Sequence, residues 1–197
     1  MDDRPVGPPD AVGPHQVKGG PLAEHELVHS ILVRASIDEV WSEITRVRGR
    51  QRAMLDAVLD TTFQPGDPLY YRSADGRRVL IVGRVVAVEA PRRFSHTQQL
   101  LVRDDPPTLV TWELDEVEGG TRVTLRHSGW PADTDDLDKV DATWAVVLPE
   151  LKKLVETGDV SRKRKLRYAL HRPLTRFRPA GPRAEDVSAP DVPDRFR

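Results

Sequence analysis

From Val58 to Trp130 the chain passes through one short alternating apolar–polar segment after another, with turn residues between them. Segments of this kind pair with their sequence neighbours into an antiparallel sheet that is apolar on one face. That face has to be covered, and the cover follows directly. Leu137, Val140, Trp144, Val147, Leu151 and Leu154 keep a three-four spacing over about five turns, which predicts one long amphipathic helix. Gly158 is a suitable stop. Pro149 inside this stretch cannot donate to the carbonyl of Ala145, and a kink is expected there.

The individual strands follow from turn chemistry. Val58 to Phe63 alternates weakly, and Pro65-Gly66-Asp67-Pro68 turns the chain. Leu69 to Ser73 and Arg78 to Val82 flank Ala74-Asp75-Gly76, where glycine supplies the φ > 0 of a tight hairpin. Val85 to Val88 continues until Pro91 ends it. Phe94, His96, Gln98 and Leu100 share one face of the next strand, and Val110, Trp112 and Leu114 one face of another. After Gly119-Gly120, Val123, Leu125 and His127 share a face again. Upstream, Ile31-Leu32-Val33 closes a first strand, and Ser36-Ile37-Asp38-Glu39 is a capping box. Ile37, Val40, Trp41, Ile44 and Val47 form one stripe, so a helix begins at Ile37 and ends near Gly49. Met54-Leu55 is read as a second short helical turn. The expected class is α+β, a curved antiparallel sheet wrapped around a long C-terminal helix.

Composition divides the chain. Residues 1–23 carry five Pro and four Gly, and residues 159–197 five more Pro. Both are read as tails, the first disordered and the second largely so, around one folded domain at 24–158. The net charge of −1 hides an asymmetry, because Ser161 to Arg178 holds eight Lys/Arg and no Asp/Glu. That segment is either a solvated extension or a contact for nucleic-acid phosphates or an anionic surface. Cysteine is absent, which excludes disulfides, a thiol nucleophile and a thiolate zinc site. No apolar run approaches the ~18 residues that cross a bilayer. The start, Met1-Asp2-Asp3-Arg4-Pro5, lacks the pattern of a signal peptide. A soluble, cytoplasmic protein is expected.

Several pieces together carry a family resemblance. Arg34-Ala35-Ser36-Ile37-Asp38-Glu39-Val40-Trp41 resembles the strand-to-helix junction of SRPBCC/START-like proteins. Phe63-Gln64-Pro65-Gly66-Asp67 is similar to their second-strand turn, and the stretch from Gly83 to Phe94 to a later strand pair. Gly119 to Trp130 resembles the last strand of the branch named for the activator of the heat-shock-protein-90 ATPase, and Leu151 to Gly158 its closing helix. The resemblance covers about Arg34 to Gly158. It implies a helix-grip fold with a cavity between sheet and C-terminal helix. Members of the wider superfamily bind lipids, hormones or polyketides, and some are cyclases or hydroxylase subunits. One departure is plain: Arg46-Val47-Arg48-Gly49-Arg50-Gln51-Arg52 is basic where relatives commonly carry Pro and Trp.

His25-Glu26-Leu27-Val28-His29 matches the H-E-x-x-H zinc signature, whose chemistry needs a helix. The resemblance makes it the first strand, where the two histidines lie ~13 Å apart and cannot share one ion. No metal and no cofactor is expected. Phosphate-loop, dinucleotide and nucleophile-elbow signatures are missing, and no catalytic constellation stands out. The aspartates from Asp133 to Asp141 suit a helix N-terminus better than a calcium loop. His96 and His127, with Gln98, are either polar groups that orient a ligand in a pocket or core groups satisfied by hydrogen bonds. Trp112, Leu114, Leu125, Trp144, Val147, Leu148 and Leu151 would line that pocket. The expected function is binding of an apolar small molecule or lipid. The alternatives are an interaction module acting through its surface and basic tail, and a polyketide cyclase-like enzyme using His96 or His127.

Overall fold

The structure, a computed structural model, describes residues 15–17, 25–101, 106–130, 137–159, 182 and 186–197. The elements in chain order are β1 (His15–Val17), β2 (His25–Val33), α1 (Ile37–Ile44), β3 (Arg50–Gln51), β4 (Ala57–Asp60), β5 (Pro68–Arg72), β6 (Val79–Glu89), β7 (Arg93–Leu100), β8 (Thr108–Val117), β9 (Gly120–Trp130) and α2 (Leu137–Thr157). The strands form one sheet in the order β1-β2-β9-β8-β7-β6-β5-β4-β3. β3 to β9 are a meander, and β2 pairs antiparallel with β9 at the other end. This is the α+β helix-grip architecture, a curled antiparallel sheet holding a long C-terminal helix.

The hairpins form where glycine allows them. Gly76 takes φ +74 in the β5–β6 turn, closed by the Ser73 N–H donating to Arg78 O at 2.8 Å. The two segments expected on either side of Gly83 are one strand, β6. A Cβ at Gly83 would stand 1.8 Å from the carbonyl oxygen of Thr97, so β6 and β7 approach here as no side chain would permit. The ladder shifts between Val85 and Ala87 to absorb it.

α1 carries its capping box: the Glu39 N–H donates to Ser36 Oγ and the Ser36 N–H to the Glu39 carboxylate. The helix stops at Ile44 instead of running to Gly49. The cause is Gln51, whose buried Nε2 donates to the carbonyls of Ile44 and Arg46 at 2.9 and 3.1 Å. The expected second helical turn at Met54-Leu55 is a hydrogen-bonded reverse turn. Met54 and Asp56 both donate to Gln51 O, and Leu55 and Asp56 sit at φ +59 and +60, outside any right-handed helix.

α2 runs from Leu137 to Thr157 with Pro149 inside it, and Gly158 follows at φ +71, its N–H donating to Leu154 O. Its apolar side, Trp144, Val147, Leu148, Leu151 and Leu154, is buried in one core with Leu59, Leu69, Phe94, Val110 and Leu125 of the sheet. Hydrogen bonds tie α2 to β2 and its end: His29 Nε2 to Asp141 Oδ1 at 2.9 Å, Lys152 Nζ to the carbonyl of Leu32 at 2.5 Å, and the Arg34 N–H, just past β2, to Glu156 Oε1 at 2.7 Å.

The chain end corrects an expectation. Residues 159–197 read as a largely disordered tail; residues 186–197 instead lie across the outer face of the sheet, opposite α2. Val187 and Ala189 pack with Tyr70, Val79, Val82 and Leu101 in a second apolar cluster. Arg84 on β6 donates to three carbonyls, Gly66, Ala189 and Pro190, at 2.9 to 3.1 Å. A proline-rich segment has free carbonyls and little chain entropy to lose, so it docks with few apolar residues. The basic run 161–178 lies outside the described residues.

Candidate functional site

Alternation along each strand decides which side chains turn toward α2. On β7 these are Phe94, His96 and Gln98; on β8 Val110, Trp112 and Leu114; on β9 Leu125 and His127. β7 and β8 pair His96 with Val110 and Gln98 with Thr108, and β8 and β9 pair Val110 with His127. The two histidines therefore flank Val110 on adjacent strands. All ten residues named from the sequence, His96, Gln98, Trp112, Leu114, Leu125, His127, Trp144, Val147, Leu148 and Leu151, are buried.

The polar ones form a chain of hydrogen bonds. The Trp144 indole donates from Nε1 to His127 Nδ1 at 3.0 Å. The other ring nitrogen, Nε2, stands 2.7 Å from Thr108 Oγ1, which itself donates to the carbonyl of Gln98 at 3.0 Å. Each donor has one proton, so the order fixes the tautomer: His127 is neutral with its proton on Nε2. His96 Nδ1 lies 3.0 Å from Thr97 O, which makes Nδ1 the donor and leaves Nε2 the accepting nitrogen. Burial pushes the His96 imidazolium down to about 4, partly offset by the Thr97 carbonyl. Burial, with the nearby His96, pushes His127 down to about 3. Both rings are neutral at pH 7. Tyr71, its ring 5.9 Å from that of His96, is raised by burial and stays a phenol.

Two participants were missed in the sequence. Thr108 carries no motif, and only its register opposite Gln98 brings it to His127. Trp130 breaks the alternation. By parity it should turn away from His127, three residues earlier. A bulge displaces it: β2 and β9 pair Leu27 with His127 but His25 with Trp130, and Gly129 takes φ +84. The Trp130 ring thereby stands 4.6 Å from His127. Its buried Nε1–H has no hydrogen-bond partner among the described residues. The glycine before the tryptophan was the one available hint.

Charge is scarce in this interior. Among the described residues the buried ionisable side chains are Glu43, His29, Tyr71, His96 and His127, and no Lys or Arg is buried. Glu43 on α1 pairs with Arg46 just beyond the helix, and His29 with Asp141. His25 and His29 lie on β2, a strand, so the H-E-x-x-H spacing separates them by ~13 Å. Among the described residues no group of three His, Asp or Glu is placed to hold a metal ion. No helix among them is long and apolar enough to cross a membrane. A cavity of about 430 Å³ lies on the opposite, outer face, between β6 and the C-terminal segment, lined by Gly66, Arg84, Val86, Asp191, Val192 and Arg197.

Comparison with known proteins agrees with this geometry. CalU16 from Micromonospora echinospora superposes with a TM-score of 0.58 at 19% identity, over 83% of this chain and 95% of that one. DynU16, a protein of the dynemicin biosynthetic locus, gives 0.58 at 24% identity, over 70% of this chain and 49% of that one. The Aha1 dimer from Colwellia psychrerythraea gives 0.55 at 22% identity, over 68% and 98%. At such identities the likeness is one of fold. No curated protein matches the sequence. The model of the family described as activator of Hsp90 ATPase homolog 1-like protein matches residues 34–156, and the chain belongs to that family.

Proposed function

We propose that the protein binds an uncharged, largely apolar small molecule between the sheet and α2, with the cluster around His127 at its polar end. The observation that carries this is the Trp130 Nε1–H, buried and without a partner among the described residues, beside an otherwise hydrogen-bonded cluster. A buried donor without an acceptor costs ~1–3 kcal/mol, and a ligand carbonyl or hydroxyl would recover it. His96 Nε2 is a matching acceptor. Neutrality follows from the missing counter-charge: an anion there would be buried with no buried Lys or Arg among the described residues to meet it. Phe94, Trp112, Leu125 and Leu151 supply the apolar walls. DynU16 belongs to a biosynthetic locus, a setting where a carrier or modifier of a small organic molecule is at home.

A cyclase-like enzyme is the second reading, and the geometry narrows it. His127 has both nitrogens committed, to Trp144 and Thr108, so it is not free to take a proton. His96 Nε2 would have to be the base. Native mass spectrometry on protein purified gently from its own host tests the binding reading. A retained organic mass supports it. A bare protein that also takes up no member of a panel of neutral aromatics overturns it. Function would then rest on surface contacts, co-chaperone-like or with nucleic acid.

A further inference from the structure

The C-terminal segment crosses the outer face of the sheet from β5 to β9. It begins at Tyr70, whose hydroxyl donates to Val187 O, passes the carbonyl contacts with Arg84, and ends on β8 and β9. Its last contacts fall beside the candidate site. Arg195 donates to the carbonyl of Pro107 at 3.1 Å, the residue immediately before Thr108. The buried ring of Phe196 fills the place a side chain at Gly129 would take, 2.4 Å from an ideal Cβ, immediately before Trp130. The Arg195 guanidinium lies over the Phe196 ring, 4.7 Å from its centroid, so the two anchors brace each other.

These are the two backbone points that set the polar end. Thr108 holds the proton of His127 Nε2, and Gly129 is the bulge residue that turns Trp130 toward His127. β8 begins at Thr108 and β9 ends at Trp130, so these are strand ends, with ladder pairing on one side only. Strand ends open locally more readily than strand centres. A ring seated on the bulge, and a guanidinium on the adjoining carbonyl, oppose that opening. We infer that residues 186–197 are a strap that holds the Trp130–Thr108 end of the site in place, with Arg195 and Phe196 as its positioning residues. The strap deepens the ligand reading, since it names what holds the polar end of that site, but its test needs no ligand.

The test is exchange of the tryptophan indole N–H groups with water, followed by NMR in the full-length chain. Phe196→Ala should speed exchange of the Trp130 indole about tenfold or more, as local opening does, while the Trp41 indole keeps its rate. Phe196→Leu, which retains an apolar plug, should restore most of the protection. Arg195→Ala should act in the same direction. Val187→Ala loosens the far end of the same segment, and should lower thermal stability while leaving the Trp130 rate within about twofold. An unchanged Trp130 rate in Phe196→Ala overturns the strap. So does an equal acceleration in Val187→Ala, which would make the effect one of general stability. A failed exchange test beside positive ligand binding removes the strap alone.

Discussion

The Trp144 indole on α2 donates a hydrogen bond to Nδ1 of His127 on β9, 3.0 Å away and fully out of water. It is a direct polar contact between the long helix and the sheet that grips it. It sets the tautomer of His127, and through Nε2 the orientation of Thr108. Trp144→Phe keeps an aromatic six-membered ring but removes the donor with the rest of the indole, leaving a buried acceptor unpaired. Stability should fall by about 1–3 kcal/mol. Urea unfolding measures that, and imidazole NMR should show His127 losing its single Nε2-protonated form.

Stability should depend on pH through the two buried histidines. Both are ordinary in the unfolded chain, near 6.5, and depressed in the folded one, to about 4 and about 3. Above 6.5 neither state binds the proton and their contribution is complete. Below it the unfolded chain is protonated and the folded one is not. Stability is therefore lost as pH falls from about 6.5 toward 4, by at most ~1.4 kcal/mol per pH unit for each histidine. Unfolding midpoints at pH 7.5, 6 and 5 check this. His127→Gln should flatten the slope by about half.

Arg84 holds the middle of the C-terminal segment with one guanidinium on two of its carbonyls, Ala189 and Pro190, and ties it to the Gly66 carbonyl of the β4–β5 turn. Arg84→Met should cost about 2 kcal/mol, the scale of charged hydrogen bonds that are partly exposed. Amide exchange should accelerate along residues 187–196 and stay unchanged in α1.

Leu151 is buried on α2 among the residues facing the sheet. Leu151→Ala should destabilise by about 2–5 kcal/mol. The same substitution leaves apolar space, which binds apolar molecules in preference to water. The variant should therefore bind 1-naphthol more tightly than the parent chain does, a gain that isothermal titration calorimetry would read.

Most of the architecture was legible because it rests on period. The alternation of Phe94-His96-Gln98 and Leu125-His127 named the inward side chains, and the stripe from Leu137 to Leu154 named the helix that meets them. What escaped depended on contacts that no local pattern announces. Gln51 ends α1 by reaching back to Ile44, which no local propensity announces. Thr108 becomes part of the cluster through register, and Trp130 through a bulge that inverts its parity. The docked chain end was hidden by its composition: proline and charge read as a tail, whereas its carbonyls and Phe196 are what bind. The basic character of Arg46 to Arg52 is spent partly on ion pairs, Arg46 with nearby Glu43 and Arg52 with Asp159 beyond the end of α2.

The central claim is that the interior beside Trp130 takes a neutral ligand. An NMR titration of the full-length chain with 1-naphthol, and separately with 1-naphthoate, tests it most directly. The account predicts a saturable shift of the Trp130 indole N–H with the naphthol, and at least about tenfold weaker binding of the carboxylate, whose charge would be buried unpaired. No shift of the Trp130 signal with either compound, or tighter binding of the naphthoate, would contradict it.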